Sequence, residues 1–217
     1  LSEGIPYLSG PEWLAREVLN GKWVIGVAGT HGKTTTSSMC AWILRQNGLD
    51  AGYLIGGLPV GLEEPASLGT TPFFVVEADE YDSAFFDKRP KFLHYRPRTL
   101  ILGNLEFDHA DIFSDLEAIK TQFHHLIRTV PANGLIIQPS DNTTLDETLA
   151  LGVWTQTLSI GLGIGDIQGR LVETDGSAFL VSEPNGTEHL VEWPLLGKHN
   201  VMNALAAIAA TRHAGIP

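Results

Sequence analysis

A strand, a glycine-rich turn and the start of a helix follow one another in residues 23–38. The strand is the apolar run Trp23–Ala28, and the turn reads Gly29-Thr-His-Gly-Lys-Thr34. In such a unit the backbone N–H groups of the turn and of the first helical turn point at one place, where they bind phosphate. Lys33 would add positive charge there, and the Thr34 hydroxyl can bind Mg²⁺. The segment therefore predicts a strand–loop–helix unit that binds a nucleoside triphosphate.

The turn departs from the regular Walker A sequence. That motif has a glycine five positions before the glycine of Gly-Lys-Thr, and Val27 stands there, with Gly26 and Gly29 on either side. A plain strand–turn–helix corner would account for the glycines alone. The pair Lys33-Thr34 at the helix start favours phosphate binding over that alternative.

The composition is that of an ordinary folded chain. Its 217 residues, 43% of them hydrophobic, suffice for one large domain with a full core, or for one and a half small ones. The net charge of −11, without a basic stripe, disfavours nucleic acid as a partner. No apolar run is long enough to predict a membrane helix, and no signal sequence is evident. The single cysteine, Cys40, is expected in the core and suits a reducing, cytoplasmic location.

Apolar runs and helical patterns succeed each other along the chain and predict an α/β fold. The runs lack polar–apolar alternation, which is typical of strands buried on both faces, so we expect a doubly wound, mostly parallel sheet. Alternation around Asp175-Gly176 predicts a small antiparallel β appendage over residues 166–194. The predicted strands are 23–28, 53–55, 73–77, 99–104, 134–138, 154–160, 167–173, 178–183 and 189–193, and the predicted helices are 11–20, 33–46, 115–129 (capped by Ser114), 143–151 and 200–213.

The two ends of the chain suggest a piece of a longer protein. The sequence begins without Met, in a segment that looks like a linker, and stops just after a predicted helix. We therefore expect residues 1–20 to be a linker and short helix from a preceding domain, and residues 21–217 to form one domain.

Acidic residues cluster after two predicted strands, at 77–82 and 106–111. Ligands of doubly wound sheets bind at the carboxyl ends of the strands, so both clusters should lie near the phosphate loop. We expect Glu77 and Thr34 to share one Mg²⁺, and His109 to be a second metal ligand or to donate to phosphate. A solvated loop is the alternative for the clusters, and a structural role is the alternative for His109. For Asp79, Glu80 and Asp82, helix capping and solvated charge are the alternative to a functional role, and the residues favour neither over the other.

Four motifs together resemble those of the Mur ligases, the ATP-dependent amide-forming enzymes of bacterial peptidoglycan synthesis. They are the loop Gly29–Thr36, Glu77-Ala-Asp-Glu80, Asp108-His109-x-Asp111, and Leu196-Gly-Lys-His-Asn200-x-x-Asn203-Ala-x-Ala206. The resemblance covers residues 20–217 and corresponds to the family's central ATP-binding domain. It implies ATP and Mg²⁺ as cofactors, and UDP-N-acetylmuramate and a peptide amine as substrates in the bacterial cytoplasm.

Within the family, residues 80–89 and 94–113 are similar to the branch that joins UDP-N-acetylmuramate to the amine of L-Ala-γ-D-Glu-meso-diaminopimelate. Tyr81 and Ala110 depart from the branch that uses L-alanine, which is the alternative. The implied reaction phosphorylates the lactyl carboxylate with ATP. The amine then attacks the acyl phosphate, and phosphate leaves from a tetrahedral intermediate.

The resemblance also assigns site residues by position. The implied catalytic residues are Lys33, Glu77 and His109, with Thr34 and Glu77 on the first Mg²⁺ site and His109 on the second. The implied nucleotide contacts are Gly29, Thr30, His31, Gly32, Lys33, Thr34, Thr35, Asn104, His199, Asn200 and Asn203. For Asn200 and Asn203, N-capping of the last helix is the alternative.

One family feature is absent from the sequence. Several members carry a carbamoylated lysine near the second metal, where this chain has Phe123, so Lys120 three residues earlier is not assigned that role. His124 is expected at the surface or in packing. The family also has an N-terminal domain for the UDP-sugar and a C-terminal domain for the incoming amine. Neither fits into 217 residues, so we expect this chain alone to bind ATP weakly and not to ligate.

Two other classes of protein remain possible on the residues alone. A P-loop NTPase switch should have an apolar strand that ends in Asp, whereas strand 73–77 ends in Glu77 and no Asp-x-x-Gly follows. A non-catalytic nucleotide-binding module is disfavoured by the complete set of Lys33, Thr34, Glu77 and His109.

Overall fold

A computed structural model of the protein describes residues 4–57, 59, 61–106 and 115–217. In these ranges the helices are α1 (Gly10–Glu17), α2 (Lys33–Gln46), α3 (Leu116–Ile127), α4 (Thr143–Ala150) and α5 (Lys198–His213), with a 3₁₀ helix at Lys91–His94. The strands are β1 (Trp23–Ala28), β2 (Gly52–Leu54), β3 (Ala66–Ser67), β4 (Phe73–Glu77), β5 (Asp82–Ala84), β6 (Asp87–Pro90), β7 (Thr99–Leu102), β8 (Leu135–Pro139), β9 (Gln156–Leu162), β10 (Ile167–Leu171), β11 (Ala178–Ser182) and β12 (Glu188–Glu192).

One sheet of ten strands organises the described residues, in the order β12-β11-β10-β9-β8-β7-β1-β4-β2-β3. Every pairing from β10 to β2 is parallel, and the antiparallel pairings lie at the two edges. The predicted doubly wound, mostly parallel fold is confirmed. The central strand β1 places the phosphate loop in the middle of the sheet, between β4 and β7.

The sheet separates two hydrophobic cores, because successive side chains of a strand point to opposite faces. In β1, Ile25 and Val27 join the core beneath α2 and α5, whereas Val24 and Ala28 join the core beneath α3 and α4. The alanine-rich α5 lies close to the sheet through small buried side chains such as Ala207 and Ala210. Burial on both faces explains why the inner strands read as continuous apolar runs.

The predicted antiparallel strands are confirmed, but they do not form a separate appendage. Strand β10 pairs in parallel with β9, with Ile167 opposite Ile160, so β10, β11 and β12 extend the main sheet. The buried side chains of this extension, among them Phe179, belong to the core beneath α2 and α5. Alternation in the sequence indicated the pairing of β10 with β11 but not the partner on the other side of β10.

The segment between β4 and β7 holds elements that the sequence did not predict. Strands β5 and β6 form a two-stranded antiparallel sheet, and the 3₁₀ helix follows directly. Short polar strands such as Asp82–Ala84 have no hydrophobic period, so local pattern does not detect them.

The remaining helices agree with the predictions to within a few residues. Helix α1 packs through Leu14 onto the core beneath α3, together with Val18 and the buried Leu19, which follow the helix. Its assignment to a preceding domain stays a prediction. Helix α3 is capped by Asp115, whose side chain accepts from the Ala118 N–H at 2.8 Å, and the predicted cap Ser114 lies outside the described residues. No helix in the described ranges is both long and apolar enough to cross a membrane.

Cys40 lies in α2 and is fully buried, as predicted. Burial raises the pKa of its thiol to about 12, because the thiolate would lose its hydration. The residue is therefore a small hydrophobic group of the core and not a nucleophile.

Candidate functional site

The turn between β1 and α2 has the geometry of a phosphate cradle. Helix α2 begins at Lys33, and its N-cap Gly32 has a φ of +79° and no side chain to cap the first N–H groups. Uncapped N–H groups and the helix dipole together favour an anion at this point. Val27, which occupies the place of the first Walker A glycine, is buried in β1 and pairs with Glu77 and Ile101. The irregular spacing arises because the strand continues one residue beyond Val27 before the turn starts at Gly29.

Two glycines allow the turn to lie against its neighbours. Gly29 has a φ of +136°, and a Cβ atom there would lie 2.9 Å from the Gly103 Cα. A Cβ atom on Gly32 would lie 2.7 Å from the side-chain oxygen of Asn203. The turn is thus enclosed between the end of β7 and helix α5. A side chain at position 29 would meet backbone and displace the turn, whereas one at position 32 would meet the Asn203 side chain.

Asn104 fixes the turn from the end of β7. Its carbonyl oxygen accepts from the Thr30 N–H at 2.8 Å, and its side-chain oxygen accepts from the His31 N–H at 2.9 Å. The Thr30 hydroxyl accepts from the Glu106 N–H at 3.0 Å, and the Asn104 amide donates to the Glu106 carboxylate at 3.0 Å. Asn104 therefore positions the loop, and Glu106 is a supporting residue that the sequence suggested only as part of an acidic cluster.

Thr34 and Glu77 are brought together as predicted. Glu77 is the last residue of β4, and its two carboxylate oxygens lie 3.0 and 3.1 Å from the Thr34 hydroxyl. The N–H of Gly56 donates to the same carboxylate at 2.8 Å and holds it in place. A hydroxyl beside a carboxylate, next to a phosphate cradle, is an oxygen-donor set that fits Mg²⁺, which commonly takes its other ligands from phosphate and water.

Lys33 does not extend away from the loop. Its ammonium group donates to the Gly29 carbonyl at 2.7 Å and lies 3.2 Å from a carboxylate oxygen of Glu80. Glu80 is only 4% exposed, so neither helix capping nor solvated charge describes it. Asp79 instead pairs with Lys91 at 3.0 Å, and the half-exposed Asp82 pairs with Lys88 at 2.7 Å.

A cavity of about 400 Å³ opens beside the loop, at the carboxyl ends of β1, β7 and β8. His31, Gly32 and Asn104 line it on the loop side, and His199 and Asn203 of α5 line it on the other. Its apolar lining comes from residues of several elements, among them Ile101, Pro139, Ile160, Met202 and Ala206. Asp141 and Asn142, which follow β8, also line the cavity and had no signal in the sequence beyond the capping of α4.

The N-capping interpretation of Asn200 and Asn203 is wrong, because α5 begins earlier and its N-cap is Gly197. Asn203 faces the phosphate loop at Gly32. The side-chain amide of Asn200 donates to the Leu196 carbonyl at 2.7 Å, outside the lining of the cavity.

The predictions for His109, His124 and Lys120 have different outcomes. His109, with its proposed catalytic and metal roles, lies outside the described residues. His124 packs as expected, with its ring 6.2 Å from that of Trp154 and its Nε2 3.1 Å from the Gly152 carbonyl. The ammonium group of Lys120 lies 2.6 Å from the carboxylates of both Glu117 and Glu147, and these hydrogen bonds raise its pKa.

Comparison with known proteins places the chain in a family. The model of the Mur ligase middle domain matches residues 27–211. The UDP-N-acetylmuramate–L-alanyl-γ-D-glutamyl-meso-2,6-diaminoheptandioate ligase of Escherichia coli (strain K12) is 54% identical over 216 residues, which cover 100% of this chain and 47% of that protein. The UDP-N-acetylmuramate–L-alanine ligase of Geobacter sp. (strain M21) is 38% identical over 216 residues, covering 98% of this chain and 45% of that protein.

The solved structure of the UDP-N-acetylmuramate:L-alanyl-γ-D-glutamyl-meso-diaminopimelate ligase from Neisseria meningitides matches with a TM-score of 0.92 at 54% identity. The match covers 99% of this chain and 68% of that one. The chain spans about half the length of the curated relatives it matches. The geometry of the phosphate loop and these matches agree, and the chain belongs to the Mur ligase middle domain family.

Proposed function

We propose that the chain is the ATP-binding domain of a ligase that joins the lactyl carboxylate of UDP-N-acetylmuramate to the amine of L-Ala-γ-D-Glu-meso-diaminopimelate. The observation that carries the ATP-binding part is the Thr34–Glu77 pair, 3.0 Å apart at the uncapped start of α2. The choice of substrates is supported by the 54% identity to the ligase of that specificity, against 38% to the L-alanine ligase.

In this proposal the loop holds the triphosphate. The uncapped backbone N–H groups at the start of α2 bind phosphate oxygens, since those of Thr30 and His31 already donate to Asn104, and the Lys33 ammonium neutralises charge on the transferring phosphoryl group. Thr34 and Glu77 would hold one Mg²⁺, which would supply neutralisation of phosphate charge. The role of His109 at a second Mg²⁺ stays a prediction.

The cavity beside the loop receives the rest of the nucleotide in this proposal. His199 and Asn203 approach it from α5, and its apolar lining suits a planar base. Asn104 and Gly29 act indirectly, because they fix the position of the loop. Asn200 stays a predicted nucleotide contact, and its side-chain amide donates to the Leu196 carbonyl.

The proposed chemistry uses an acyl phosphate. The carboxylate oxygen attacks the γ-phosphorus, ADP leaves, and the amine then attacks the acyl carbon and displaces inorganic phosphate. We further propose that residues 21–217 form the central domain of a longer bacterial cytoplasmic enzyme. Domains outside this chain would bring the UDP-sugar and the amine.

Isotope transfer in the full-length enzyme tests the reaction class. With an ¹⁸O-labelled lactyl carboxylate, a ligase transfers one label into inorganic phosphate for each amide formed. Phosphate released without label would identify an NTPase switch instead. Preferred use of L-alanine over the tripeptide would identify the alternative branch. This chain alone should bind ATP weakly and form no amide, and measurable product from it would contradict that expectation.

Two substitutions at Thr34 test the metal site. Thr34→Val keeps the shape of the side chain but removes the hydroxyl, so the Mg²⁺-dependent part of ATP binding should fall by about tenfold or more. Thr34→Ser keeps the hydroxyl and should stay near wild type. Calorimetric titration of ATP with and without Mg²⁺ separates these outcomes. Equal Mg²⁺ dependence in the Val and Ser variants would remove Thr34 from the metal site.

A further inference from the structure

The ammonium group of Lys33 is held on two sides by its own protein. It donates to the Gly29 carbonyl at 2.7 Å and lies 3.2 and 3.4 Å from the two carboxylate oxygens of Glu80. The side chains of Lys33 and Glu80 are 13% and 3% exposed. Because the pair is shielded from water, it is screened little by salt and holds a defined geometry.

Glu80 keeps its place without help from Lys33. The residues on either side of it are fixed by backbone hydrogen bonds, from the Ala78 N–H to strand β1 at 2.8 Å and from the Lys91 N–H to the Tyr81 carbonyl at 2.9 Å. The carboxylate of Asp79 accepts from the Tyr81 N–H at 2.9 Å and pairs with the Lys91 ammonium at 3.0 Å. The backbone that carries Glu80 is therefore held by hydrogen bonds that do not involve Lys33.

A buried carboxylate beside a phosphate cradle needs an explanation. Its negative charge repels a triphosphate, and burial makes that repulsion stronger than it would be in water. Simple phosphate binding would therefore favour a neutral residue at position 80. The arrangement is explained if Glu80 acts on Lys33, the cation that lies between it and the cradle.

We infer that Glu80 is a positioning residue for the phosphoryl transfer. It holds the Lys33 ammonium at one point above the loop, so that the charge is already in place where negative charge develops in the transition state. The cost is a small loss of ground-state ATP affinity. This inference rests on the proposed function, because it requires phosphoryl transfer at the loop.

The test compares Glu80→Gln with Asp82→Asn in the full-length enzyme. Glu80→Gln keeps the shape and a hydrogen-bond acceptor but removes the charge that orients Lys33. The kcat should fall by about tenfold or more, while the KM for ATP stays level or falls because a repelling charge is gone. Asp82→Asn removes one charge from the same segment, at a side chain that pairs with Lys88 and not with Lys33, so both constants should stay within about twofold.

The separate changes in kcat and KM distinguish a positioning role of Glu80 from a role in stabilising the fold. A folded Glu80→Gln enzyme whose kcat is within about threefold of wild type, or whose KM for ATP rises with little change in kcat, overturns the inference. If that variant does not fold, Glu80→Asp, which keeps the charge and withdraws it by one methylene, replaces it, with the same expected fall in kcat and an unchanged KM for ATP. A wild-type kcat in Glu80→Asp, or failure of both variants to fold, also overturns the inference. A wild-type enzyme without ATP-dependent ligation would instead refute the proposed function.

Discussion

Replacement of Gly29 by alanine tests the close packing of the phosphate loop. The new Cβ atom would lie 2.9 Å from the Gly103 Cα, 3.0 Å from the Gly103 N and 3.1 Å from the Asn104 carbonyl oxygen. All three neighbours are backbone atoms of the segment that follows β7, so no side chain can rotate away. The φ of +136° is in addition a conformation that L-residues rarely adopt.

The expected loss combines two separate costs. Holding a non-glycine residue at such a φ costs on the order of 1–3 kcal/mol. Overpacking a closed site costs about 1–3 kcal/mol more, because the surrounding backbone must shift. We therefore expect a decrease of about 4 kcal/mol in the free energy of unfolding, which for a domain of this size lowers Tm by roughly 8–16 °C.

Two other glycines of the chain separate these costs. Gly48 has a φ of +78° with no heavy atom within 4 Å of a built Cβ, so Gly48→Ala measures the conformational cost alone, about 1–2 kcal/mol. Gly10, the first residue of α1, has neither a positive φ nor a close neighbour, and Gly10→Ala should change stability by less than about 0.5 kcal/mol. Urea unfolding monitored by tryptophan fluorescence gives the three values under one condition.

The order of the three variants decides the outcome. We expect Gly29→Ala to be the least stable, Gly48→Ala intermediate and Gly10→Ala near wild type. If Gly29→Ala loses no more than Gly48→Ala, the overlap with Gly103 and Asn104 contributes nothing, and the loop is not packed as described. Titration of the folded Gly29→Ala variant with ATP should also show weaker binding, since a displaced loop loses the contacts that Asn104 makes with it.

Two further predictions concern titratable groups that lose hydration on folding, the half-buried His213 and the buried Cys40. His213 Nδ1 lies 2.8 Å from the Thr99 hydroxyl, and burial, with a smaller contribution from Arg98, lowers the pKa of this histidine. The unfolded chain then binds the proton more tightly, so stability is complete above about pH 6.5 and decreases as the pH falls below it. His213→Gln should flatten that decrease in urea unfolding measured between about pH 8 and pH 5, and an unchanged slope would contradict the assignment. Because the pKa of Cys40 is raised to about 12, the folded protein should not react with a thiol reagent at about pH 8, whereas labelling equally fast in buffer and in urea would refute burial of the thiol.

Local pattern predicted the elements that carry a clear hydrophobic period. The bounds of β1 and α2 agree with the predicted 23–28 and 33–46, because a buried strand, a glycine turn and a helix start are all signalled within a few neighbouring residues. Strands β5 and β6 were not predicted, since their short polar sequences depend on each other for pairing. The parallel contact of β10 with β9 was also missed, because the choice of a neighbouring strand is made between distant segments.

The same distinction between local sequence and long-range contacts applies to the candidate site. The proximity of Thr34 and Glu77 could be predicted, because parallel strands deliver their carboxyl ends to one edge. The burial of Glu80 could not, since a sequence shows a charge but not the neighbours that exclude water from it. The contact of Asn203 with the loop at Gly32 depends on where α5 packs, and the alternative of a helix cap was equally consistent with the residue type.

The α/β class, the phosphate loop and the residue types that face it could be predicted from the order of neighbouring residues alone. Long-range packing, in contrast, sets which charge lies beside Lys33, how Asn104 and Glu106 hold the loop, and where the cavity between the loop and α5 opens. These features join residues tens of positions apart, and the free energy of such contacts depends on distance and on exclusion of water. Packing of the whole chain sets both quantities, and local composition does not encode them.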